Sequence, residues 1–266
     1  METLPEDCLT RIISFTSPGD ACCSSAVNTV FRAAAESDIV WETFLPSDFP
    51  EILARSVDRL EFSSKKELFR RLSSAPLLID QGKKSFMLDK CSNKICYMLS
   101  ARELSIPWSS NSLYWSWKPL RFSRFSEAVE LRMVCWLEIH GRINTKTLSP
   151  NTTYGAYLVI RLTDRAFGLA VEPAEVLVTV GSYESKGFVY IEQNRHKTDE
   201  ESSSSSGDSK ERAIHKRSDG WLEVELGEFY NGHKEEDQVK MWFRETNGVH
   251  LKGGLLVEGI ELRPKD

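Results

Sequence analysis

Residues Glu127–His140 read EAVELRMVCWLEIH, and the apolar side chains recur at every second position. Val129, Leu131, Met133, Cys135, Leu137 and Ile139 fall on one face, and Glu130, Arg132, Trp136, Glu138 and His140 on the other. A period of two belongs to an extended strand with one side buried, whereas a helix would scatter these residues around its circumference. The spacing predicts one long strand, with Trp136 on its more polar face and covered by another segment. The period returns downstream. Leu158, Ile160 and Leu162 alternate with Val159, Arg161 and Thr163, and Leu222, Val224 and Leu226 with Trp221, Glu223 and Glu225. Val239, Met241 and Phe243 alternate with Lys240, Trp242 and Arg244. Several half-buried strands between Gly, Asn and Ser turns predict an antiparallel β-sandwich.

Upstream the period changes. Residues 1–72 read as helices and 77–264 as strands, so the expected fold class is α+β with more than one domain. Thr3-Leu-Pro-Glu6 carries a capping-box pattern ahead of Leu9, Ile12 and Ile13. Ser17-Pro-Gly-Asp20 is a second start signal, followed by an apolar stripe of Ala26, Val27, Val30, Phe31 and Ala34. Ser37-Asp38 opens a short helix with Trp41, Phe44 and Leu45, and Ser64-Lys-Lys-Glu67 another with Leu68, Phe69 and Leu72. Three short helices make too small a head to bury a robust core alone. It is expected to lean on a partner or on the following domain.

Composition excludes several classes. The 266 residues suffice for about two domains. A net charge of −5 argues against a nucleic-acid partner, which needs a basic surface. No run of about 18 apolar residues is present, so no membrane association is expected. The acidic start Met-Glu-Thr-Leu-Pro-Glu has no signal-peptide apolar region, which places the chain in the cytosol or nucleus. Cys8, Cys22, Cys23, Cys91, Cys96 and Cys135 form no C-x-x-C and no zinc spacing. They are expected to be free, buried thiols, with no metal and no cofactor. Arg195–Arg212, RHKTDEESSSSSGDSKER, lacks any large apolar residue and reads as a disordered insertion.

Two resemblances follow from these residues. LPEDCLTRIISFTSPGDACCSSAVNTVFRAAAESDIVWETFLP resembles an F-box, over residues 1–46. The resemblance implies docking onto the Skp adaptor of a cullin-based ubiquitin ligase through Leu4, Pro5, Leu9, Ile12, Val27, Phe31 and Trp41. Residues 47–82 would then be a helical linker. The β body, 83–264, resembles the phloem-lectin family of the Nictaba type. SARELSIPW, YWSW, EAVELRMVCWLEIHGRINTKTLSPNTTYGAYLVIRLTD, RSDGWLEVELGEFYN and LKGGLLVEGIELRP carry that resemblance. It implies a jelly-roll-like sandwich that binds N-acetylglucosamine oligomers or N-glycan cores through tryptophans at the positions of Trp108 and Trp115.

The chemistry agrees, because the C–H face of a sugar stacks on an indole while its hydroxyls need hydrogen-bonding partners. Ser109, Ser110 and Asn111 stand between the rings to supply them. Strand alternation offers another reading, in which Leu113, Trp115 and Trp117 share a buried face. Trp117 is then core, Trp115 stands between the two readings, and Trp108 is the exposed ring. The expected function is a non-catalytic substrate receptor of a ubiquitin ligase that binds glycoproteins. A β body that binds a protein epitope is the alternative. A glycosidase built on Glu138, Glu223 and Glu225 is a remote third, because exposed strand carboxylates mostly solvate a face.

Overall fold

The structure, a computed structural model, describes residues 4–191, 210–232 and 237–265. It divides into two compact units at Tyr97/Met98.

The first unit opens with six helices: α1 (Glu6–Ile13), α2 (Pro18–Ser24), α3 (Thr29–Glu36), α4 (Asp38–Phe44), α5 (Phe49–Ala54) and α6 (Lys65–Ser74). Local signals set their starts. Ser17 Oγ accepts the Asp20 amide at 3.1 Å while the Asp20 carboxylate takes the Ser17 hydroxyl at 2.7 Å, a reciprocal cap with Pro18 at the first helical position. The other two boxes form differently. Thr3 lies outside the described residues, and Pro5 is the N-cap of α1 with no side-chain acceptor. Ser64 caps Glu67, but the Glu67 carboxylate turns to the amide and hydroxyl of Ser63, one residue earlier. The core of the unit is aromatic. Trp41 lies 5.6 Å from Phe44 and 5.4 Å from Phe69 of α6, and its indole donates to the Ala35 carbonyl at 2.7 Å. The short head is therefore completed by α6 of its own unit. The hairpin β1 (Leu77–Ile79) and β2 (Lys84–Leu88) follows, and Arg55 pairs with Asp80, holding that carboxyl at about 2.

Strand β3 (Ile95–Ser100) leads into the second unit, which is mostly antiparallel. Its strands are β4 (Trp115–Pro119), β5 (Glu127–Leu131), β6 (Leu137–Asn144), β7 (Thr152–Phe167), β8 (Ala174–Val180) and β9 (Tyr183–Val189). β10 (Lys210–Glu211), β11 (Ile214–Lys216), β12 (Leu222–Asn231), β13 (Gln238–Glu245) and β14 (Gly253–Pro264) complete them. One sheet runs β14-β7-β12-β11, with β5 on the far edge of β14 and β4 beyond it. The other runs β10-β9-β8-β13-β6. Inner faces meet where Ile260 of β14 lies against Gly141 of β6 and Met241 of β13. The expected sandwich is formed.

The predicted long strand over 129–139 is two strands, β5 in the first sheet and β6 in the second. Residues 132–136 cross between them and expose Met133, Cys135 and Trp136. A buried lysine holds the crossing. Lys252 and Val134 exchange backbone hydrogen bonds of 2.8 and 3.0 Å, and the Lys252 ammonium, paired with Glu245, donates to the Cys135 carbonyl at 2.5 Å.

Three further expectations are corrected. Cys96 is buried, but Cys8, Cys22, Cys23, Cys91 and Cys135 are exposed. Lys210–Arg212 is ordered: β10 pairs parallel to β9, and Arg212 bonds Ser185 and Glu225. The rest of the serine-rich insertion up to 209 lies outside the described residues. Glu223 does not solvate a face, because it is buried among arginines.

That burial belongs to a charge cluster on the face of the first sheet turned away from the second. Glu261 of β14 meets Arg124 at 3.0 Å and Arg217 at 2.6 Å, while Glu223 of β12 meets Arg263 at 2.6 Å. The Arg263 guanidinium lies 3.8 Å over the Tyr157 ring of β7. Burial pushes both carboxyls up, but the arginines outweigh it and hold Glu261 and Glu223 below their ordinary range. Their stabilisation is present in full above about pH 4.5, the ordinary glutamate value, and is lost as pH falls through the depressed folded values. Glu258 works in the opposite sense, since burial raises its carboxyl. We expect Glu261→Gln, which removes the buried carboxylate that Arg124, Arg217 and Arg263 share, to destabilise the second unit by about 3–5 kcal/mol. Urea denaturation at pH 7 checks this, and the gap between variant and parent should narrow as the pH is lowered below 4.5.

Candidate functional site

Two surfaces stand out, one in each unit. In the first, Leu4, Ile12, Phe15, Val27 and Val30 expose large apolar side chains, with Phe15 80% accessible. Pro5 is also exposed and Phe31 is half-buried. So much exposed apolar surface is unusual on so small a unit. Leu9 and Trp41, grouped with these residues by the F-box resemblance, are buried at 5% and 2% accessibility. They pack inside the helical unit. Phe15 and Val30 add to the face. Val30 was legible as part of the apolar stripe, while Phe15 follows the end of α1, where helical spacing gives no signal.

The second surface is the loop between the 3-10 turn Ala101–Glu103 and β4. Its three tryptophans divide the work. The Trp115 indole is buried and donates to the Pro107 carbonyl at 3.0 Å. The Trp117 indole donates to the Ser109 carbonyl at 2.9 Å, and its ring lies half-buried beneath the Arg102 guanidinium, 3.5 Å from the ring centroid. The two carbonyls belong to the residues on either side of Trp108. Clamped between them, Trp108 has φ +57°, a left-handed backbone that a bulky side chain rarely adopts, and its ring is half exposed. Strain of this kind persists only where the surroundings over-determine it. Tyr114 joins Trp108 at 5.8 Å between ring centroids.

Trp115 is therefore moved out of the exposed platform. β4 begins at Trp115, so Leu113 is not on its inner face and is exposed at 71%. Trp117 is half-buried where alternation predicts core, because a cation rather than the sandwich interior covers it. Trp136 is exposed where a covering segment was expected, and its indole donates to Glu138 at 3.1 Å. Ser110 and Asn111 are exposed and Ser109 half-buried; the Asn111 side-chain carbonyl accepts the Leu113 amide at 2.9 Å. The ring missing from the sequence-based set is Tyr114, which is placed beside Trp108 by a turn closed by the Asn111 carbonyl.

Among the described residues no group of side chains is arranged to hold a metal ion, and no helix is long and apolar enough to cross a membrane. The phloem protein 2 family model matches residues 94–264, and the F-box domain model matches residues 1–43. The chain is 47% identical to the F-box protein PP2-B15 of Arabidopsis thaliana, over 98% of this chain and 96% of that one. It is 44% identical to the F-box protein VBF of the same plant, over the whole of both chains.

The division of labour among the tryptophans is testable by stability. Trp115→Ala should cost about 3–5 kcal/mol, as truncating a core aromatic does, whereas Trp108→Ala should leave the melting temperature nearly unchanged. Thermal unfolding of the two variants beside the parent measures both.

Proposed function

The chain belongs to the phloem protein 2 family of F-box proteins, and from that membership we propose that it is the substrate-recognition subunit of a Skp–cullin–F-box ubiquitin ligase that captures glycoproteins. The exposed apolar side chains of Leu4, Ile12, Phe15, Val27 and Val30 are the face offered to the Skp adaptor, which would cover them as one amphipathic surface covers another. The second unit holds the target through Trp108 and Tyr114, with Ser109, Ser110 and Asn111 alongside. One observation supports sugar recognition above the others: a buried indole and a half-buried one clamp the backbone on both sides of a third and leave its ring exposed to solvent. The proposed setting is the cytosol or the nucleus.

The role is that of a receptor, and the chemistry belongs to the other subunits of the ligase. The strand carboxylates are engaged structurally. Glu223 pairs with Arg217 and Arg263, Glu225 with Arg212 and Lys265, and Glu138 accepts from Trp136. A protein epitope as target is the second reading, favoured by the exposure of Leu113 beside the aromatic pair.

Ile12→Asp with Val27→Asp changes two exposed residues and should leave the head folded. Each side chain buried at an interface contributes about 1.5–3 kcal/mol, so adaptor affinity should fall more than tenfold. Titration calorimetry against the Skp adaptor measures this, and unchanged affinity would refute the docking face. Trp108→Ala should abolish retention of target glycoproteins while leaving adaptor binding intact. Glycosidase treatment of the targets separates the two readings: capture that survives removal of the glycans favours the protein epitope.

A further inference from the structure

The segment around Trp108 is tied down at every second residue. Ser105 exchanges backbone hydrogen bonds of 2.8 and 3.0 Å with His140 of β6. The Pro107 carbonyl accepts the Trp115 indole at 3.0 Å, and the Ser109 carbonyl the Trp117 indole at 2.9 Å. The first two ties have firm anchors, a strand backbone and a buried ring. The third is different, because Trp117 is only half-buried on β4. The bonds from the Asn111 amide to the Trp108 carbonyl and from the Tyr114 amide to the Asn111 carbonyl close turns within the loop. Holding Ser109 onto β4 falls to the Trp117 indole, so the direction of that ring matters.

Arg102 sets it. This residue lies on the 3-10 turn Ala101–Glu103, at the start of the same segment. Its guanidinium covers the Trp117 ring, 3.5 Å from the centroid, while its Nε and a terminal nitrogen both reach Glu127 Oε1, at 2.8 and 2.7 Å. Glu127 of β5 stands two residues before Val129, the cross-strand partner of Trp117, so carboxylate and ring lie on one side of the ladder. An ion pair this exposed adds little stability of its own. Its effect is on direction. The guanidinium is planar, and a carboxylate bonded at its edge leaves its face to the indole. A ring covered in this way keeps its N–H aimed at Ser109.

We infer that Arg102 is a positioning residue for the Trp108 platform, acting through Trp117 and not by contact with the ligand. Arg102, fixed by Glu127, aligns the Trp117 indole; the indole holds the Ser109 carbonyl; and the held carbonyl keeps Trp108 at φ +57°, with its ring outward. A bulky residue released from such a hold leaves the left-handed region for a less strained backbone. The inference rests on the reading of Trp108 as the ring that meets the target. It adds a charged residue that is needed for binding and lies outside the contact set.

The test follows the tryptophan signals of the full chain by ¹⁵N NMR, with the indoles assigned through Trp108→Phe, Trp115→Phe and Trp117→Phe. Arg102→Ala alters an exposed side chain. It should speed hydrogen exchange at the Trp117 indole about tenfold, the worth of one hydrogen bond, and shift the Trp108 backbone amide. The Trp115 indole, anchored in the core, should keep the parent rate, whereas a general loosening of the fold would speed both. Arg102→Lys keeps the charge and loses the plane, and should fall between parent and Arg102→Ala. Calorimetric titration with the β-1,4-linked trimer of N-acetylglucosamine reads the consequence, and Arg102→Ala should lose most of the parent affinity. An unchanged Trp117 rate, equal acceleration of both indoles, an unshifted Trp108 amide, or full trimer affinity in Arg102→Ala would overturn the inference. A parent that does not bind the trimer would refute the carbohydrate reading, and the NMR signals would still decide whether Arg102 positions Trp108.

Discussion

Glu261 is a carboxylate out of contact with bulk water, and the second unit is arranged so that it can stay ionised. Its partners come from three places in the chain: Arg124 before β5, Arg217 in the turn before β12, and Arg263 two residues further along β14. A buried charge is tolerated only when its partners are in place, so the cluster penalises any arrangement that displaces one of them. Slipping β14 by one residue against β7 would drive Glu261 into the apolar interior and turn Leu262 outward. The ladders on both sides of β7 also carry a register shift, near Gly259 on β14 and near Gly227 on β12. At Gly227, φ is +153°, and an added Cβ would meet Val178 and Ser185 across the sandwich. Charge on one face and close packing on the other thus fix the same register.

The platform proposed at Trp108 relies on that rigidity indirectly. Trp115 begins the strand that pairs with β5, and β5 pairs in turn with β14. Their order reaches Trp108 through two indole hydrogen bonds. A mobile aromatic loop would pay its ordering entropy at each binding event, and one held by the Trp115 and Trp117 indoles has already done so. The aromatic residues of this region are two supports and an exposed pair.

Much of this was legible in the sequence, and the exceptions have physical causes. Alternation identified the strands and their inner faces because a side chain's direction on a strand depends on local position alone. It did not reveal the break between β5 and β6. Leu131 and Leu137 are both buried and lie six positions apart, an even offset, so the pattern keeps its phase through the crossing. The depth of Glu223 was hidden because its arginine partners lie at 217 and 263 and no local pattern ties them together. Trp115 and Trp117 were separable only once the start of β4 was known. Resemblance grouped Leu9 and Trp41 with exposed residues of the head, since the same apolar types serve a core and a docking face. Burial separates them, and burial depends on α6 packing onto Trp41.

β14, the last of the described strands in chain order, is also the middle of its sheet, flanked by β7 on one edge and β5 on the other. During synthesis, β7 must therefore wait with an unpaired edge until residues 253–264 leave the ribosome. The contacts that complete the head lie within the first 97 residues, so that unit can form while the second is still being extended. A message cut short ahead of β14 would then yield a chain with an intact helical head and no closed receptor. Such a product would retain the proposed adaptor face without a means of holding a target, and would compete with its own full-length form for a place on the ligase.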